Sequence, residues 1–259
     1  MYKFAGQKAL VTGASKGLGK AIAEKLASQG CSVTLLARNE ELLRKTVESL
    51  PLVTSGQTHQ VLQFDLLSIV NEASKTNNNT RLATSLDGVS ILVNCAGVTT
   101  KSLLPKLQND ETLSTLNLNL VAPIILSKLA YIPMLKMSRK LLKNGTEDSF
   151  QSPVILNISS VLSFTNKAVP GTSVYAASKA GLLGFTTALS AEFGGRVRVN
   201  ALLPGLIPET EMGSASNIEA ELGAVSLSKV VDKASEIIGN NKINGQCIIC
   251  DNDSTEFFK

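Results

Sequence analysis

Apolar runs of strand length recur along the chain, separated by stretches of helical period. Lys8–Thr12, Cys31–Ala37, Gln60–Phe64, Ser90–Asn94, Val154–Ile158, Val197–Leu202 and Gln246–Cys250 read as strands. Between them, an amphipathic helix is predicted from about Leu18 to Gln29, ended by Gly30, and a second opens at Arg38-Asn39-Glu40 and runs to about Leu50. Helical but Asn-interrupted sequence fills Ser68–Leu86. A long helix is predicted over Glu111–Met137, with Pro123 and Pro133 starting, kinking or bounding parts of it. The polar stretch Ser138–Ser152 reads as an exposed loop or helix tip. Helices follow over Ser173–Phe193 and Ser226–Ile238, with an irregular segment from Pro204-Gly205 to about Ala224 between them. Strands that are apolar throughout and alternate with helices imply a parallel sheet covered on both faces. The prediction is one α/β domain over residues 1–259, a doubly wound parallel sheet in three α/β/α layers, with no linker and no internal repeat. Ligands of such sheets bind outside the carboxyl ends of the strands.

Composition leaves that picture in place and removes several functions. Of 259 residues, 44% are apolar and 18% charged, enough for an ample core; aromatics are 4% and tryptophan is absent, so the core is aliphatic. The net charge of +4 comes from scattered lysines without interleaved aromatics, which argues against nucleic acid. No apolar run approaches the roughly 18 residues of a membrane span. Residues 1–12 run almost at once into a strand, with neither a signal peptide nor an Arg- and Ser-rich leader, so composition favours the cytosol. Cys31, Cys95, Cys247 and Cys250 give no disulfide framework. Cys247 and Cys250 lie three apart on a predicted strand, hence on opposite faces, where they cannot chelate. His59, the only histidine, has no acidic or thiol neighbours and reads as a surface or strand-edge residue.

Candidate chemistry clusters at the predicted carboxyl ends. After the first strand the glycines fall as Gly13-x-x-x-Gly17-x-Gly19, one residue looser than the dinucleotide fingerprint. Such a turn brings backbone close to a pyrophosphate and offers it the N–H groups of a helix N-terminus. Where a carboxylate would hold the ribose of NAD, the second strand ends in Arg38. With Lys16 it can clamp the 2′-phosphate of NADP, whereas Glu40 and Glu41 fall inside the next helix. The fifth strand ends in Ser159-Ser160, either of which can donate to a carbonyl oxygen. Tyr175 and Lys179, at i and i+4, share a helix face. An ammonium beside a phenol, whose pKa is ordinarily about 10, is expected to lower it toward a useful acid/base range.

Taken in order, these residues resemble the classical short-chain dehydrogenase/reductase family, and the resemblance covers nearly the whole chain. It implies a Rossmann fold and NADPH as cofactor. Thr12-Gly13-Ala-Ser-Lys-Gly17-Leu-Gly19 matches the cofactor turn, assigning contacts to Gly13, Ser15, Lys16, Gly17, Leu18 and Gly19; Lys16 with Arg38 matches NADP-preferring members. Asp65 falls where the family contacts adenine. Asn94-Cys-Ala96-Gly97 stands for Asn-Asn-Ala-Gly, with Cys95 replacing the second asparagine. Asn119 matches the asparagine that supports a water relay. Asn119, Ser160, Tyr175 and Lys179 form the implied catalytic tetrad, the last two also touching the cofactor. Pro204, Gly205, Ile207 and Thr210 resemble the segment that holds the nicotinamide carboxamide.

Within the family, Val98–Leu104 and Val169–Lys179 resemble 3-oxoacyl-[acyl-carrier-protein] reductases, especially the fungal mitochondrial branch. The implied activity is reduction of acyl-carrier-protein-bound or CoA-bound 3-oxoacyl thioesters by a homo-oligomer, dimer or tetramer, in the mitochondrial matrix. Lys101, Lys106, Lys136, Arg139 and Lys140 are candidates for docking an acidic carrier protein, against ordinary solvated cations. Departures from the pattern are a Ser160-to-Tyr175 spacing two residues longer than usual, an inserted Pro208, a short lid between Thr210 and Ser226, and Cys250-Asp-Asn-Asp after the last strand. The alternatives are a reductase of another carbonyl (steroid, sugar or small ketone) and a cofactor-binding subunit without turnover.

Overall fold

The computed structural model describes residues 2–71, 77–144, 152–164, 168–214, 223–251 and 257–258. Strands β1 (Lys8–Thr12), β2 (Ser32–Ala37), β3 (Gln60–Gln63), β4 (Ile91–Asn94), β5 (Val154–Ile158), β6 (Arg198–Pro204) and β7 (Cys247–Cys250) form a parallel sheet in the order 3-2-1-4-5-6-7. The chain winds outward from β1 to β3, then returns to the other side of β1 with β4. A crevice therefore opens between the carboxyl ends of β1 and β4, where an α/β sheet takes its ligands. An eighth strand, β8 (Phe257–Phe258), pairs antiparallel with β7. Two residues are too few to show in a hydrophobic pattern.

The helices are α1 (Gly17–Ser28), α2 (Glu40–Ser49), α3 (Ser68–Asn71), α4 (Asn77–Ser85), α5 (Asn109–Leu116), α6 (Ala122–Asn144), α7 (Ser173–Phe193), α8 (Glu211–Ser214) and α9 (Leu227–Gly239). Along each strand successive side chains enter opposite layers. Ala9, Val11, Val33 and Leu35 join Ile22 and Leu26 of α1 and Val230, Ala234 and Ile237 of α9. Leu10, Leu36 and Leu92 join Leu82 of α4, Leu126, Ala130 and Met134 of α6 and Phe193 of α7. The same alternation separates Cys247, packed with Ala201 and Leu203, from Cys250 in the opposite layer. His59 sits at a strand edge, its Nδ1 accepting from the Val33 amide at 3.2 Å. Asn39 caps α2 by accepting from the Leu42 amide, and Glu40 and Glu41 pair with Arg44 and Lys45 one turn on.

Two predicted helices differ. Ser68–Leu86 divides into α3 and α4, with residues 72–76 outside the described ones. The long helix starts earlier, at Asn109, and contains a widened π turn over Asn117–Val121. Pro123 has no N–H to give the carbonyl of Asn119 four residues back, so a regular α-helical ladder cannot pass this point. Beyond it α6 runs through Pro133 to Asn144, so Ser138–Asn144 is the helix tip of the two readings, with residues 145–151 outside the described ones. By length and composition Asn109–Arg139 could cross a membrane, against the expectation that no such run exists. Here it lies on the sheet, with Ala122, Leu126, Ala130 and Met134 fully buried.

Arg198 on β6 is 2% exposed and forms no ion pair with an acid among the described residues. Its guanidinium instead donates to the carbonyls of Ile237, Ile238, Asn240 and Ile243, closing the C-terminal end of α9 with a cation. Burial lowers its pKa to about 10, which leaves it charged at neutral pH.

Candidate active site

Thr12, the last residue of β1, joins the two halves of the sheet at the crevice. Its hydroxyl accepts from the amides of Cys95 and Ala96 at 2.9 and 3.0 Å and lies 3.3 Å from the Val93 carbonyl. The turns after β1 and β4 are thereby held in contact. Gly13 has φ +66°, and a Cβ there would come 2.9 Å from the Ala96 Cα. At Gly19 a Cβ would strike the Gly13 carbonyl, which is how the first turn of α1 closes onto β1. Lys16 precedes α1 without a side-chain cap, so the helix presents its first N–H groups beside this turn. Ser15 gives its carbonyl to the Thr46 hydroxyl at 3.4 Å, and Leu18 packs against the α1/α9 core layer. A cradle that side chains would fill, at the N-terminus of a twelve-residue helix, fits a dinucleotide pyrophosphate.

The segment after β6 reaches this turn from the other side. Pro204 is the last β6 residue in register with β7, and the Gly205 amide donates to the Cys250 carbonyl at 2.9 Å. Ile207 is buried in the core. Thr210 stands with its methyl 3.7 Å from where a Cβ of Gly17 would be, and Glu211 forms an ion pair with Lys16. Lys16 is therefore held by a carboxylate, a partner the sequence reading lacks; residues 215–222 of the short lid lie outside the described ones. Arg38 is exposed at the end of β2. Asp65, also exposed, accepts from the Leu67 amide at 3.0 Å and so shapes the turn into α3. Both are at the β2–β3 side of the crevice, where the distal part of a dinucleotide would lie.

The tetrad gathers where β4 and β5 end. Ser160 faces the Tyr175 hydroxyl, whose pKa its side chain lowers, and accepts from the Leu162 amide at 3.2 Å, capping the short 3₁₀ turn Val161–Ser163. Ser159 turns away, donating to the Lys179 carbonyl at 2.8 Å, so the serine that faces the tyrosine is Ser160. Part of the longer loop, residues 165–167, lies outside the described ones. Asn119 is fully buried: its Oδ1 accepts from the Val98 amide at 2.9 Å, and its Nδ2 donates to the Val98 carbonyl at 2.8 Å and to Ser178 Oγ at 3.0 Å. It thus ties the π turn to the turn after β4 and to α7. At Gly97 a Cβ would lie 3.1 Å from Asn119 Oδ1 and 3.3 Å from Lys179 Nζ, so a side chain there would crowd both. Asn94 points into the sheet, 3% exposed, its Nδ2 donating to Asn157 Oδ1 at 2.8 Å and so strutting β4 against β5, while its buried Oδ1 has no partner among the described residues.

The electrostatics correct one expectation. Lys179 was to lower the pKa of Tyr175; in this structure burial raises it, against a lowering by the Ser160 side chain. Lys179 Nζ lies 5.9 Å from the tyrosine ring centroid and donates to the Ile158 carbonyl at 2.8 Å. Burial drops the lysine to about 8, and it pushes the nearby Cys95 thiol up to about 12. The site thus holds a protonated phenol and a neutral thiol at neutral pH. Sequence reasoning missed the Thr12 hydroxyl, readable in retrospect from a polar residue closing an apolar strand, and Glu211, 195 residues from Lys16 and without any one-dimensional signal.

A family model for short chain dehydrogenases matches residues 7–221. The chain belongs to that family. Among curated relatives of this short chain dehydrogenase, carbonyl reductase family member 4 of Danio rerio is 33% identical, covering 94% of this chain and 95% of that protein. The 3-oxoacyl-[acyl-carrier-protein] reductase FabG of Chlamydia trachomatis is 30% identical over 94% of this chain and 95% of its own. Among solved structures, a short chain dehydrogenase from Burkholderia cenocepacia in complex with NADP superposes with a TM-score of 0.77 at 27% identity, over 96% of this chain and 98% of that one. The family makes this dehydrogenase an oxidoreductase acting between CH–OH and C=O, with a nicotinamide dinucleotide as cofactor.

Proposed function

We propose that this chain reduces 3-oxoacyl thioesters, carried by acyl carrier protein or CoA, to 3-hydroxyacyl thioesters with NADPH. When bound, the nicotinamide supplies the hydride. Gly13, Gly17, Gly19 and the first turn of α1 would hold the pyrophosphate, Lys16 and Arg38 the 2′-phosphate, and Pro204, Gly205, Ile207 and Thr210 the carboxamide end. Ser160 orients the substrate carbonyl oxygen, and Tyr175 donates a proton to that oxygen as negative charge develops on it. A phenol kept protonated by burial suits this reductive direction. The Lys179 cation steadies the phenolate that remains. The Asn119 carbonyl, to which Pro123 has no N–H to give, would hold a water that refills the proton.

The observation that carries the substrate reading is an apolar rim. Leu103, Leu104, Phe164 and Met212 are 53%, 60%, 45% and 41% exposed, on the segments leaving the carboxyl ends of β4, β5 and β6. Large apolar side chains left in water around a cleft suit an acyl chain better than a sugar. The relatives named 3-oxoacyl-[acyl-carrier-protein] reductase support the same choice. Exposed Lys106, Lys136 and Arg139, with Lys101, would greet an acidic carrier; the side chain of Lys140 lies outside the described ones. NADPH oxidation with acetoacetyl thioester is the test. Turnover of simple ketones without turnover of any carrier-protein or CoA thioester would replace this reading with the second one, a small-carbonyl reductase, which the similarity to carbonyl reductase family member 4 favours. The mitochondrial matrix and a homo-oligomer complete the proposal, checked by imaging a fluorescent fusion and by light scattering.

A further inference from the structure

The ion pair of Lys16 and Glu211 joins the glycine-rich turn to the segment after β6, with side chains 62% and 74% exposed. Thr210 and Gly17 are in van der Waals reach beside it, so residues 16–17 and 210–211 face each other across the mouth of the turn. The segment that presents Glu211 is stiff. The Thr210 hydroxyl donates to the Ile207 carbonyl at 2.9 Å and accepts from the Gly213 amide at 3.1 Å, and Gly213 leaves no room for a side chain against that carbonyl. Its base is fixed: Leu206 bridges to Ala224, and the Glu209 carboxylate accepts from the Leu227 amide at 3.1 Å. Glu211 is thus held out to Lys16 by an anchored turn, and the ammonium draws its carboxyl below the usual range.

We infer that Glu211 is a determinant of cofactor choice, the resident counter-charge of Lys16 that a 2′-phosphate must displace. The inference rests on the NADPH reading above, in which Lys16 serves that phosphate. One ammonium cannot give its full attraction to a carboxylate and a phosphate at once. Glu211 therefore weakens NADPH binding and leaves NADH, which lacks the phosphate, untouched. Displacement also releases the Ile207–Ser214 turn from Lys16, so only the phosphorylated cofactor frees it.

Dissociation constants for NADPH and NADH, read from nicotinamide fluorescence, test this on the wild type, Glu211→Gln, Lys16→Met and the double variant. For an exposed pair, E211Q should tighten NADPH about 2–5-fold at low salt and leave NADH unchanged. The gain should disappear in the K16M background and shrink at roughly 0.5 M salt. Weaker binding of both cofactors by E211Q would mean that the pair is a structural clasp and would overturn the inference, as would an unchanged NADPH constant beside a clear wild-type preference for NADPH. Equal wild-type constants for the two cofactors would remove the NADPH reading and this inference with it.

Discussion

Lys179 is an ammonium that the fold takes out of water and gives the Ile158 carbonyl as acceptor. With its pKa near 8 in the folded chain and about 10.5 unfolded, the unfolded state binds the extra proton between those values. Stability contributed by this group therefore rises with pH across that window and is lowest, and flat, below it. Lys179→Met should be more stable than the wild type at pH 7, by a few kcal/mol at most (~1.4 kcal/mol per pKa unit). That advantage should fade toward pH 10.5, and denaturant titrations at several pH values would show it; an advantage independent of pH would contradict the buried charge. Tyr175→Phe removes the proton donor and keeps the ring. It should lower kcat by about 10²–10⁴ with little change in cofactor affinity, whereas a cofactor-binding subunit without turnover would show no activity to lose.

At the level of elements, contacts between segments decide what one residue can do. Gly19→Ala would drive a methyl into the Gly13 carbonyl, prying α1 from β1 at a cost of about 1–3 kcal/mol. It should weaken NADPH and NADH alike, unlike a change at Glu211. Arg198→Met strips the cation from the end of α9 and leaves buried carbonyls short of donors. A loss of about 2–4 kcal/mol is expected in thermal or denaturant unfolding. The strands were legible because both faces of a parallel sheet are apolar, and the crevice followed from the strand-helix alternation. Tyr175, Lys179 and Ser160 could be placed because spacing on one helix, or position after a strand, carries geometry, whereas Asn119 followed from the family resemblance alone. Helix limits at Asn109 and Asn144 were not legible, since the polar sequence at both ends does not tell a last helical turn from the loop beside it. The roles of Arg198 and Glu211 were hidden for another reason: their partners are distant in sequence, and a lone charge does not declare whether it is solvated or buried. The tyrosine's raised pKa is likewise a property of its enclosure.

For the molecule as a whole, cofactor and stability are linked. A ligand that binds only the folded chain adds about 2.7 kcal/mol at a hundred times its dissociation constant. NADPH should therefore raise Tm more than NADH at equal concentration, and thermal shifts that coincide would argue against a role for Arg38 and Lys16 in choosing between them. The strand β8 bears on the molecule's dealings with its own copies. A parallel sheet that stopped at β7 would offer a row of unpaired amides and carbonyls to any extended segment nearby. Phe257 and Phe258, in register with Ile248 and Cys247, occupy that row from within the same chain. Residues 257–258 thus act as a stopper. Cutting the chain after Asp251 should leave the crevice and its chemistry in place yet make the protein sticky, with aggregation growing with concentration in light scattering, so purification and storage would suffer before catalysis does.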